Sequence, residues 1–64
     1  MPFIGKVIED LNKFDEILKS NPKDGSTWVN KGISLYCLKR YEEAIKAYEN
    51  ALRLSPKFKE AWYN

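Results

Sequence analysis

Apolar residues recur along this chain at steps of three and four, the spacing that gathers side chains on one face of an α-helix. The first run, Ile4, Val7, Ile8, Leu11, Phe14, Ile17 and Leu18, predicts a helix over about residues 4–20. It should stop at Ser20-Asn21-Pro22, because proline lacks an amide proton and disfavours helical geometry in the residue before it. A second run follows Asp24-Gly25-Ser26, where Asp24 or Ser26 can cap the free amides of a first turn. It passes through Trp28, Gly32, Leu35 and Leu38, predicting a helix over about 26–38 that ends near Lys39-Arg40. The third, Tyr41, Ala44, Ile45, Tyr48, Ala51 and Leu52, predicts a helix over about 41–54. Glu42 and Glu43 in its first turn and Arg53 in its last complement the helix dipole. Beyond Ser55-Pro56 a fourth pattern opens with Ala61-Trp62-Tyr63.

These runs repeat. Displacing the sequence by 34 residues superposes Glu9 on Glu43, Leu18 on Leu52, Pro22 on Pro56, Lys23 on Lys57, Trp28 on Trp62 and Asn30 on Asn64. Average residue usage would give roughly two identities over that overlap by chance. Phe14/Tyr48, Leu11/Ile45, Lys6/Arg40, Asp15/Glu49 and Lys19/Arg53 are conservative matches in the same register. A fixed period of this size is the mark of a stacked-repeat architecture, in which each unit buries its apolar face against the next.

A helix-turn-helix period carrying Trp28, Gly32, Ala44, Tyr48, Ala51 and Pro56 in that order resembles the tetratricopeptide repeat. Residues 1–22 look like the tail of one repeat, 25–58 like a complete one and 59–64 like the start of a third. The resemblance implies an all-α fold of antiparallel helix-turn-helix repeats, about two of them, stacked as a right-handed α-solenoid. The residues support that packing on their own terms. Gly32 and Ala44 are small enough to let two helices cross closely, and Trp28, Leu35 and Tyr48 fill the space around the crossing. Ala51 would admit a following helix, which Trp62 would join to the stack, and Pro56 ends the third helix and turns the chain. Three positions depart from the family pattern: Lys31 stands where leucine is usual, Leu35 where tyrosine is usual, and Lys39 where a turn glycine is expected, with Gly5 at the matching place 34 residues earlier. A left-handed Lys39 would store about 1 kcal/mol that glycine would not. Lys31 can lay its stem along the packing face and keep its ammonium in water.

Composition narrows the function. With 64 residues the chain is one small domain at most, and its 44% hydrophobic and 31% charged content is that of a globular protein. Eleven Lys and Arg against nine Asp and Glu give a net charge of +2 without blocks of either sign, which leaves no nucleic-acid footprint. RNA reading by helical repeats would need basic and polar code positions that are missing. No apolar stretch approaches the ~20 residues of a membrane span, and the start lacks a secretory pattern, so a cytoplasmic protein is expected. Histidine is absent and Cys37 is the one cysteine, so neither a disulfide framework nor a Cys/His zinc site can form and no metal or cofactor is expected. Adjacent acids such as Asp15-Glu16 and Glu42-Glu43 point about 100° apart around a helix and read as solvated charges, not as an acid/base pair. No enzymatic chemistry is expected. Cys37 reads as a small, half-buried hydrophobe.

The candidate site is a second stripe on the second helix, away from Trp28, Gly32 and Leu35. Ser26, Val29, Asn30, Ile33, Tyr36 and Cys37 lie there at steps of three and four, and Val29 and Asn30 recur as Tyr63 and Asn64. In the resembled family this face of a repeat's first helix lines the concave groove that binds partners, so a protein or peptide ligand is implied. An asparagine amide both donates to and accepts from an extended backbone. The same Val29, Ile33 and Tyr36 would equally serve as packing against an adjacent repeat. Some members of the family grip a terminal carboxylate with cationic side chains on this face; here the matching positions hold Ser26, Val29 and Glu60, which implies a neutral groove. The alternative is a spacer without a ligand. Because stacked arrays usually need three or more units, open apolar ends predict association with neighbouring repeats or with other copies of the chain.

Overall fold

The computed structural model describes residues 2–54, with side chains from Gly5 onward. Among them the fold is all-α: α1 (Pro2–Ser20), α2 (Gly25–Cys37) and α3 (Tyr41–Leu54). Each boundary lies within two residues of the expectation. Pro56, Trp62, Tyr63 and Asn64, with the whole fourth pattern, lie outside the described residues. One local expectation fails: Gly5, assigned to a turn, is helical. Proline is tolerated in a first turn, where its missing amide has no partner to lose, so α1 begins at Pro2 and runs through Gly5.

The first turn is built by local hydrogen bonds. Asn21 N–H donates to Ile17 O at 2.8 Å and Asp24 N–H to Asn21 O at 3.1 Å, folding the chain around Pro22. Of the two cap candidates, Asp24 is used: its carboxylate accepts from Thr27 N–H at 3.2 Å, satisfying one of the orphan amides of α2. The Trp28 indole N–H then reaches back to Pro22 O at 2.9 Å, tying α2 to the turn that precedes it.

The second turn closes α2 by a left-handed residue. Lys39 has φ 62°, its N–H donates to Tyr36 O at 2.9 Å, and Arg40 N–H donates to Leu35 O at 2.9 Å. This is the Schellman arrangement, normally completed by glycine because a Cβ is strained there. A bidentate pair from Arg40 to Glu43, Nε to Oε2 at 2.5 Å and Nη2 to Oε1 at 2.7 Å, fixes the entry to α3. The guanidinium holds the Glu43 carboxyl below its usual range, and that hydrogen bond raises Arg40 in turn.

Short connections force the helices to alternate in direction. α1 and α3 both pack on α2. Leu11, Leu35, Ala44 and Ala47 form the buried core, with Trp28, Leu38 and Tyr48 half-buried around it. Leu35 is 2% exposed and Ala44 1%. Val7, Leu18 and Ala51 are also buried, as are the polar Thr27 and Ser34. The apolar runs are wider than the contacts they make. Ile8 and Ile17 on α1, and Tyr41 and Ile45 on α3, belong to the predicted stripes and are exposed. Ile8 and Ile17 are nine residues apart, which puts them on opposite sides of the helix, so one neighbour cannot cover both.

Candidate functional site

The elements place two different surfaces on α2. The inward one carries Trp28, Lys31, Gly32 and Leu35. A Cβ on Gly32 would stand 2.6 Å from Tyr48 Cδ1 and 2.9 Å from Cζ, so the tyrosine ring occupies the space that the glycine leaves. Burial, then the neighbouring Cys37 and Tyr36, raise the Tyr48 phenol above its ordinary value. Lys31 corrects an expectation: its ammonium does not simply face water. Nζ lies 2.7 Å from Asp15 Oδ1 and 5.3 Å from the centre of the Trp28 ring. Asp15 is accordingly a half-buried partner across the α1–α2 boundary, not a solvated helix-face charge. A cation lying over an indole and meeting a carboxylate is favoured by both the ring quadrupole and the ion pair.

The outward surface carries the predicted stripe. Ser26, Asn30, Ile33, Tyr36 and Cys37 are exposed and Val29 is half-buried, so these six share one side of α2. Tyr36, 60% exposed, meets Tyr41 edge to face at 5.3 Å between ring centres. That contact joins the stripe to the exposed side of α3, where Tyr41 and Ile45 stand. Cys37 was expected to be half-buried and is exposed. It sits at the end of α2 on the face turned from the core, so helical position outweighs its apolar character. Tyr63 and Asn64, the recurrences of Val29 and Asn30, lie outside the described residues.

Sequence reasoning missed several residues of the packed side. Ala47, Thr27 and Ser34 are buried, yet small and hydroxylated side chains carry little weight in an apolar periodicity. The Asp15–Lys31 tie joins different helices and has no spacing rule. Among the described residues no group of three or more His, Cys, Asp or Glu side chains converges as a metal site would require. Nor, among them, is any helix long and apolar enough to cross a membrane.

The tetratricopeptide repeat family model matches residues 26–58, more than half of the chain. The chain belongs to the tetratricopeptide-repeat family, whose helical hairpins are non-catalytic protein-interaction modules. It is similar to the peroxisomal targeting signal receptor of Candida glabrata, 49% identical over 54 residues that make up 84% of this chain and 9% of the receptor. The receptor of the same name from Saccharomyces cerevisiae is 47% identical over 54 residues, with 84% and 9% covered. A TPR repeat-containing protein of Schizosaccharomyces pombe is 33% identical over 60 residues, covering 94% of this chain and 7% of that protein. The chain thus spans about a tenth of the length of these curated relatives. No solved structure matches significantly.

Proposed function

We propose that the chain binds an extended peptide or protein segment along the outward stripe of α2, without catalysing any reaction and in the cytosol. The observation that carries this reading is that Asn30, Ile33, Tyr36 and Cys37 are exposed together on a helix whose other side is buried. Tyr36 supplies a large amphipathic surface and Asn30 an amide that can bond a peptide backbone in both directions. The stripe carries no cation, so an uncharged ligand backbone with apolar side chains suits it better than an acidic tail. Two of the three named relatives are receptors for a targeting signal, which is consistent with peptide recognition.

Cys37, exposed and the sole cysteine of the chain, offers the test. A fluorophore attached there should report binding of capped apolar peptides, and Asn30→Ala and Tyr36→Ala should each abolish the signal while the chain stays folded. A peptide ending in the peroxisomal address Ser-Lys-Leu, whose terminal carboxylate meets no cation on the stripe, should bind more weakly. Binding that survives both substitutions would reject the stripe as the site.

A second reading, packing against another repeat or another copy, is favoured by one observation. Val7, Leu11 and Leu18 of α1 are covered by α2, while their counterparts 34 residues on, Tyr41, Ile45 and Leu52, include two exposed side chains, Ile45 at 52%. Sedimentation equilibrium separates the readings: association that is lost on Ile45→Asp, with no peptide bound, supports packing.

A further inference from the structure

Between α1 and α3, on the side of α2 opposite the stripe, lies an open cleft of about 380 Å³, within the range of small-ligand pockets. Its apolar walls are Leu11, Trp28, Leu35 and Ala47. Three cations and two carboxylates rim it. Lys31 is committed to Asp15 and Arg40 to Glu43, each at ion-pair distance. Lys46 makes no ion pair among the described residues, although it is near enough to Glu43 to favour the ionised carboxylate, and Asn50 follows it one helical turn later on the same rim.

We infer that this cleft is a second docking site, taking a partner segment in which a carboxylate side chain is flanked by an aliphatic one. The balance of three positive against two negative groups leaves one uncompensated charge, which a single carboxylate neutralises and a phosphate dianion would overshoot. Lys46 supplies the charge and the Asn50 amide a directional donor. The aliphatic side chain lies against Trp28, the half-buried member of the apolar walls; Leu11, Leu35 and Ala47 form a floor that the fold itself already covers. Lys31 matters here by its posture: drawn over Trp28 towards Asp15, it holds its own charge to one side. The stripe carrying Ile33 and Tyr36 faces the other way, so both sites can be filled at once.

The probe is the capped dipeptide acetyl-Leu-Glu-amide, titrated into the isotope-labelled chain and followed by two-dimensional NMR. Saturable shifts are expected at Trp28, Ala47 and Asn50, with a dissociation constant on the order of millimolar for so small a ligand. Acetyl-Leu-Gln-amide should bind about tenfold more weakly, as should the acidic dipeptide to Lys46→Ala or Asn50→Ala, a difference worth 1.4 kcal/mol. Tyr36→Ala should bind the dipeptide as the parent does, which separates this site from the stripe. The inference is overturned if no saturable shift is seen, if the glutamine dipeptide binds equally well, or if the shifts centre on Ile33 and Tyr36. The dispersion of the same spectra shows that each variant is folded.

Discussion

The two helix contacts of this small fold use opposite means. α2 meets α3 through missing atoms: Gly32, Ala44 and Ala47 thin the interface, and the Tyr48 ring lies where a Cβ on Gly32 would be. α1 meets α2 through large ones, Val7, Leu11 and Leu18, supplemented by the Asp15–Lys31 ion pair. The 34-residue register sharpens the contrast. The counterparts of Ala44 and Ala47 on α1 are Asp10 and Lys13, so α1 is not thinned on that face. Close approach within a hairpin is specified by small residues; packing between successive hairpins is specified by branched aliphatics and charge.

The largest effect should follow from filling the thinned contact. Gly32→Leu or Ala44→Leu is expected to cost about 1–3 kcal/mol, the usual penalty of overpacking, whereas Val7→Ile at the other contact should cost less than ~1.5 kcal/mol. Equal losses in urea titrations would erase the distinction. Next is the turn joining α2 to α3: Lys39→Gly should stabilise the chain by up to about 1 kcal/mol by relieving the left-handed strain, partly offset by greater freedom of the unfolded chain. A stability loss of that size would show that the lysine side chain contributes something beyond the turn.

Smaller again is the charged tie at the α1–α2 contact. Both partners remain partly exposed, so Lys31→Met should change stability by no more than ~1 kcal/mol in either direction. A much larger loss would mean that the ion pair, not the aliphatic residues, holds α1 in place. The smallest effect concerns pH. Burial raises the Tyr48 phenol above its ordinary 10.0, so the folded chain keeps its proton longer than the unfolded one. That contribution is fully present below pH 10 and is lost as the pH rises through the folded-state value. Melting temperatures should therefore fall faster above pH 10 for the parent than for Tyr48→Phe; parallel curves would contradict the assignment.

How much of this was legible beforehand depends on the kind of signal. The three helices follow from periodicity and from Pro22 and the Asp24 cap, which act within a few residues of themselves. The strained turn at Lys39 was legible because a non-glycine residue stood where the repeat pattern asks for glycine. The stripe on α2 could be drawn from spacing, since residues 26, 29, 30, 33, 36 and 37 share a side by helical geometry alone. What spacing cannot give is whether anything covers a face. Ile8, Ile17, Tyr41 and Ile45 read as core and are exposed, because periodicity records which way a side chain points and not what stands opposite. The Asp15–Lys31 tie was hidden for a related reason. Its partners belong to different helices, and their meeting depends on the angle and register at which those helices pack.

That tie also bears on how such a chain can change in length. Asp15 and Lys31 stand on either side of the turn at Pro22, so a whole 34-residue unit can be gained or lost after Lys31 without disturbing their meeting. A single codon inserted between Leu11 and Asp15 is a different matter. It would rotate one part of α1 by about 100° relative to the other, so that Val7 and Leu11 could not face α2 together with Asp15 and Leu18. Growth by entire units is thereby permitted and drift by single residues penalised, chiefly because Val7, Leu11 and Leu18 must share one face of α1.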